Sequence, residues 1–358
     1  MRAKVTIVLC MVAAATACAA KPTFLYDVDF VTYFDNREFY DPLQPSQTIF
    51  GLRLAPTVGL QLQDSAGGTH TLMAGVSYKQ PFGADWRKAK FHPIAYYQYR
   101  HKGFSISAGA VPYYNLQHAL PDYLQSDSLA FAYPNIQGAL FQYASKWGYA
   151  EFFCDWRGMA SSDVREAFRL VADGRFRYKW FFAGGYLQMN HLANKSADQP
   201  NLGVCDDVYA NPFVGFDLTN ITPLDSFSIQ MGYLMGYQRD RKAEESHLLH
   251  GALADIYIGW RFIGFENRLY AGDGQMPLYT RYGSTLNQGN PYYNSKIYNR
   301  TDLFIYFVRR PFVTCYFAWN LHYTYGHKPG HQQQFVARFN LGGLKRDKSV
   351  KLHGLFDK

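Results

Sequence analysis

The chain has little cysteine: five in 358 residues, two of them (Cys10 and Cys18) within the first 20. The remaining Cys154, Cys205 and Cys315 are odd in number and far apart, so neither a disulfide framework nor a cysteine-built zinc site is expected. Long apolar runs are also missing. Beyond the N-terminus no window offers about 18 uninterrupted apolar residues, which excludes a helical membrane span. The most apolar later stretch, "LLHGALADIYIGWRFIGF", is broken by His250, Asp255 and Arg261. A dense basic motif is absent too. The formal charge is +8, and part of it sits in Arg2, Lys4 and the C-terminal "KRDKSVKLHGLFDK". Nucleic acid is therefore not an expected partner.

The N-terminus carries an export pattern. Arg2 and Lys4 precede the apolar "VTIVLCMVAAATA" and the small-residue "ATACAA". This reads as a signal peptide over residues 1–20, too short for a membrane-spanning helix. Lipidation at Cys18 is the weaker alternative, because Ala15 stands where a lipoprotein usually has Leu. The triplets "NKS", "NIT" and "NRT" match the glycosylation sequon, which has no force in a bacterial chain.

Aromatic residues are abundant, at 18% with 29 Tyr and 28 Phe. They recur with a period of two. In "QTIFGLRLAPTVGLQLQ", Phe50, Leu52, Leu54, Val58, Leu60 and Leu62 share one face, while Arg53, Thr57, Gln61 and Gln63 share the other. Such alternation marks a strand with one apolar face, and this strand exceeds the usual 5–6 residues of a soluble protein. The same pattern returns in "FLYDVDFVTYF", "THTLMAGVSY", "PIAYYQYR", "FSISAGAVP", "YAEFFCDWR", "FRLVADGRFRY", "FSIQMGYLMGY", "ALADIYIGWRF", "FENRLYA", "VTCYFAWNLHYT" and "FVARFNL". Weaker candidates cover 136–146, 181–190, 210–219 and 299–309. Pro56, on the apolar face, lacks a donor and predicts a ladder defect or bulge. Tyr78, Trp147, Trp156 and Trp260 at strand ends fit interfacial aromatic girdles.

Connectors alternate as well. Short turns such as "RHKG", "SKWG", "YKW", "RFIG" and "RRPF" exchange with long loops over 35–46, 79–92, 112–135, 191–209 and 271–298. Short turns at one end and long loops at the other define an all-β fold: a transmembrane antiparallel up-and-down β-barrel of about 16 strands, with 14 the alternative. A soluble β-sandwich would also alternate, but with shorter strands and fewer charged faces. The expected organisation is a signal peptide (1–20), a barrel (21–344) and a basic tail (345–358).

The carriers "VDFVTYFDNREFYDP", "QTIFGLRLAPTVGL" and "QGNPYYNSKIYNRTDLF" give most of the mature chain a class-level likeness. It resembles the porin-like outer-membrane β-barrels of Bacteroidota-type Gram-negative bacteria. The resemblance implies residence in the bacterial outer membrane, with membrane lipid and lipopolysaccharide as surroundings. It departs from many such barrels at the C-terminus, where a basic tail follows "FVARFNL" and Phe356 stands third from the end.

The polar faces place Asp27, Asp29, Arg53, Arg100, Glu151, Asp155, Arg157, Arg169, Asp173, Arg175, Arg177, Asp217, Asp255, Arg261, Glu266, Arg268 and Arg338 at expected pore-lining positions. Charges of both signs would order polar solutes in an open lumen, or pair and fill a plugged one. The group Arg169, Arg175 and Arg177 outnumbers Asp173 on one strand and would favour anions. Loops 112–135 and 272–296, rich in Tyr, Asn and Gln, would either constrict the pore and grip sugars or peptides, or pack on each other as lids. The expected function is passive diffusion of small polar solutes, sugars or anions, with no cofactor, no metal, and a homo-oligomer left open. The alternatives are a barrel enzyme acting on lipid or lipopolysaccharide, or a surface adhesin or scaffold. The chain reads as no enzyme: "WNLHYT" sets Asn320 and His322 on one face, which points to the lumen, and no serine is placed beside the imidazole. Asp198, Asn201, Asp206 and Asp207 match no calcium loop.

Overall fold

The computed structural model describes residues 21–195 and 202–344; the signal-peptide and basic-tail expectations lie outside the described residues. The described chain forms one closed antiparallel barrel of 16 strands, each paired with its neighbours in sequence and the last with the first. The strands are β1 (Thr23–Glu38), β2 (Gln47–Gln63), β3 (Thr69–Pro81), β4 (Lys90–His101), β5 (Phe104–Pro112), β6 (Asn135–Ser145), β7 (Gly148–Gly158) and β8 (Ala167–Tyr178). They continue as β9 (Phe181–Leu192), β10 (Cys205–Asp217), β11 (Ser226–Asp240), β12 (Glu245–Trp260), β13 (Ile263–Gly272), β14 (Ile297–Arg310), β15 (Val313–Thr324) and β16 (Gly330–Asn340). Closure leaves no sheet edge, so the ladder satisfies the backbone polar groups without water.

The opening strand fixes the sense of every face. Gly51, Arg53, Ala55 and Thr57 of β2 are buried, while Phe50, Leu54, Val58 and Leu60 are exposed. Apolar side chains therefore face outward and polar ones inward. Trp147, Trp156 and Trp260 are exposed near strand ends, as a girdle requires. Outward polar groups satisfy one another: Asn267 donates to Asn299 and Thr301 at 3.1 and 2.7 Å.

Pro56 causes the first of the two outcomes expected of it, a ladder defect rather than a bulge. The β2–β3 ladder omits Ala55 and Pro56, yet Leu54↔Tyr78 and Thr57↔Gly75 keep one register. The missing N–H interrupts pairing without adding a residue. Register shifts occur instead at Tyr306/Val308 and at Trp156/Gly158.

One end of the barrel carries two-residue turns after β4, β6, β8, β12 and β14. Lys102, Lys179 and Arg261 open three of these with φ of 45°, 54° and 51°. Tight hairpin turns of primed type need positive φ there. Long connections occupy the other end, and two of them turn inward. Leu116, Leu120, Tyr123 and Leu124 of the β5–β6 loop pack with Ile136, Leu140, Phe153, Val171, Tyr209 and Phe213 of the wall and with Met276, Tyr292 and Tyr293 of the β13–β14 loop. Much of the hydrophobic core of this barrel therefore lies in its lumen.

Candidate functional site

The two inward loops are joined. Ser126 donates its backbone N–H to Gln288 O at 2.8 Å, and Asn290 to Asp122 O at 2.7 Å. Tyr123 O comes so near Gly289 that a Cβ there would lie 2.0 Å from it, so only glycine allows this approach. Asp122 ties the plug to the wall. Its carboxylate accepts from Tyr293 Oη at 2.7 Å, and lies 3.1 Å from Arg268 and 3.5 Å from Arg300. Burial, reinforced by Asp122, holds the Tyr293 phenol well above its ordinary value, so it remains a donor.

The sequence-predicted lumen residues divide into paired, packed and rim groups. Asp29 is buried and bridges Arg53 at 3.0 Å and Arg338 at 2.9 Å. Asp27 accepts from Tyr114 Oη at 3.2 Å. Glu151 accepts from Gln142 at 2.7 Å and from the Gln117 backbone at 3.1 Å, and stands in register beside Asp173. Asp155 lies 3.7 Å from Arg169 and accepts from Tyr113 Oη at 2.6 Å. Arg157 sits next to this pair on the inward side of β7. Arg268 is flanked by Glu266 and by Asp255 at 3.4 Å. Asp217 caps the Thr219 backbone at 3.2 Å.

The arginines of β8 do not act as a unit. Arg169 is buried against Asp155, Arg175 rests over the Phe182 ring at 4.5 Å, and Arg177 is exposed at the short-turn rim. Arg100 is exposed at that same rim. Arg261 is a correction: it lies in the β12–β13 turn, 4.7 Å from the Trp260 ring centre, and lines no lumen.

Sequence reading missed several members. Arg300 binds Asp302 at 2.8 Å and Asp127 at 2.9 Å, all three on the lumen side. His322 faces inward as expected and is buried, with Nδ1 2.8 Å from Tyr298 Oη and Nε2 3.1 Å from Gln332 Oε1. Among the described residues no serine joins that imidazole. The alternation of Arg300 and Asp302 in "YNRTDLF" was the available signal; nothing in the sequence marked Asp122. A cavity remains beside the plug, lined by Arg53, Tyr113, Asp127, Arg300, Phe304 and Arg338 among others.

A second polar group faces the opposite way. Leu192 and Cys205 are buried inward, so His191 and Asp206, one position away and paired in register, face outward at the long-loop end. His191 Nδ1 lies 2.8 Å from Asp206 Oδ1. A carboxylate only accepts, so Nδ1 carries the proton. Asp206 Oδ2 accepts from Arg241 at 2.8 Å. The His191 ring stacks on Phe168 at 4.9 Å, and Phe168 on Trp156 at 5.3 Å. Asp206 and Asp207 thus point to opposite faces of β10, one outward and one buried in the lumen, and cannot share a cation. Asp198 and Asn201 lie outside the described residues.

Comparison with known proteins decides the family. Residues 18–352 match the family described as Lipid A 3'-O-deacylase-type. This chain belongs to it. The match overturns the expectation that the chain is no enzyme, because the family takes its description from an enzyme activity. No curated protein matches. Among solved structures, the barrel is similar to Pseudomonas aeruginosa OpdK with vanillate, at 10% identity and a TM-score of 0.54, covering 89% of this chain and 98% of the other. It is also similar to a mutant of the Rhodopseudomonas blastica porin, at 9% identity and a TM-score of 0.49, covering 89% and 100%. The first likeness shows the fold alone. The fold is thus that of a closed porin-like 16-strand barrel, as the resemblance implied.

Proposed function

We propose that this barrel is an outer-membrane acyl hydrolase that removes an ester-linked acyl chain from lipid A. The family match over residues 18–352 carries this reading. The filled lumen supports it. A passive pore of 16 strands is expected to hold an aqueous channel, whereas here Leu116, Leu124, Tyr123 and Tyr293 pack against the inner wall. The substrate would reach the enzyme from the membrane, since lipid A has its acyl chains in hydrocarbon.

The purified full chain, reconstituted with lipid A, is expected to release free fatty acid and leave lipid A lighter by one acyl group. Mass spectrometry reads both products. An unaltered lipid A spectrum would overturn the proposal.

A further inference from the structure

The deacylase reading leaves open where on the barrel the chemistry occurs. We infer that the outward-facing group His191, Asp206, Arg239 and Arg241 at the long-loop end is the lipid site, with His191 as general base and the two arginines as the seat of the anionic headgroup. This inference rests on the acyl-hydrolase reading above.

The depth of the group is the first observation. Trp156, Phe168, His191, Asp206 and Arg239 form one continuous outward row across β7 to β11. The next outward row, one pleat toward the short-turn end, is Cys154, Leu170, Met189, Val208 and Tyr237. The two rows are about 7 Å apart. The row is aromatic on β7 and β8 and polar from β9 to β11, and its polar part is the first beyond the apolar row, which suits the level where headgroups meet acyl chains. An ester linking sugar to fatty acid lies at that level.

The chemistry of the row is the second observation. The proton on Nδ1 is held by Asp206, which leaves Nε2 as the acceptor. The His191 side chain is only 18% exposed, braced between the Phe168 ring and the carboxylate. Arg239 is exposed and makes no ion pair among the described residues; Arg241 is half-exposed beside Asp206. Two guanidinium groups at headgroup depth suit phosphate.

The step balances with water as the nucleophile. His191 Nε2 takes a proton from water as the oxygen bonds to the ester carbonyl carbon. The tetrahedral intermediate then expels the sugar oxygen, which takes the proton from Nε2. One ester and one water give one fatty acid and one free sugar hydroxyl, and His191 is restored. Asp206 positions the imidazole and stabilises its protonated form.

The test uses the full chain in vesicles containing lipid A. His191→Gln is expected to lower kcat at least 100-fold with lipid binding unchanged. Asp206→Asn should lower kcat and shift the pH profile, which a purely structural role would not do. Arg239→Gln, which leaves the Arg241–Asp206 pair in place, should raise KM about tenfold with a much smaller effect on kcat; an unchanged KM would overturn the headgroup seat, and phosphatidylethanolamine vesicles serve as the control for headgroup charge. Folding of each variant is checked by the heat-dependent gel shift of the intact barrel. If the unmutated chain deacylates lipid A and folded His191→Gln keeps that rate, the site is wrong while the deacylase reading stands. If the unmutated chain releases no fatty acid, both fall.

Discussion

Replacing Asp122 by Ala tests whether the lumen is closed by electrostatic ties. The carboxylate is buried, with Arg268 at 3.1 Å, Arg300 at 3.5 Å and the Tyr293 hydroxyl at 2.7 Å. Removing one partner of a buried ion pair costs about 3–5 kcal/mol, chiefly because the surviving charge stays buried. Both arginines keep other carboxylates here: Glu266 and Asp255 for Arg268, Asp302 and Asp127 for Arg300. The loss is therefore expected at the lower end, about 3 kcal/mol. It falls on the contact between the two inward loops, so the loops loosen before the ladder does. In planar bilayers the parent barrel should conduct weakly, and Asp122→Ala should open larger, fluctuating currents. Denaturant unfolding gives the stability change. Equal conductance and equal stability in the two proteins would refute the idea that Asp122 holds the plug.

The remaining predictions concern facing, orientation and packing. Leu52→Arg places a charge on the outward face of β2 and should destabilise the barrel by about 2–4 kcal/mol in lipid. Arg53→Leu should cost about 3 kcal/mol, the lower end for a broken buried pair, because buried Asp29 loses one of its two arginines and keeps Arg338; urea unfolding in vesicles measures both, and an unchanged Arg53→Leu barrel would contradict the pairing. An impermeant maleimide should label Ser162→Cys, on an exposed long-loop-end connection, in intact cells and leave Lys102→Cys unlabelled; the reverse pattern would invert the orientation. Gly289→Ala meets Tyr123 O and should cost about 1–3 kcal/mol by overpacking. Its bilayer conductance should rise with that loss, and a silent, fully stable variant would deny the close approach.

Strands were legible wherever one face meets hydrocarbon. There the outward positions must be apolar, and the contrast with the inner face writes a period of two, as in β2. The signal fades at the long-loop end. β1 runs on to Glu38 through "DNRE", and β10 begins at Cys205 with "CDD", although both stretches read as loop. At that depth the outward face has left the apolar belt, so Asn36 and Asp206 are polar like their inward neighbours. The same loss of contrast hid the outward His191–Asp206 pair.

The content of the lumen was less legible. A charged inner face is compatible with an open pore and with a filled one, and alternation cannot separate them. The decision lies in loop residues such as Leu116, Tyr123 and Leu124, whose partners are the inward Ile136, Leu140 and Phe153. Those inward apolar residues interrupt the polar face of β6 and β7 and were the available sign of a packed lumen. Asp122 left no such trace, because its partners Arg268 and Arg300 lie more than a hundred residues further along the chain.

The central claim, that this barrel deacylates lipid A, is tested most directly in living cells. Lipid A extracted from a Gram-negative host expressing the full chain, beside the same host without it, is compared by mass spectrometry. The account predicts a new species lighter by one ester-linked acyl chain, which disappears with His191→Gln expressed at equal level in the outer membrane. Identical lipid A spectra with and without the folded barrel would contradict it.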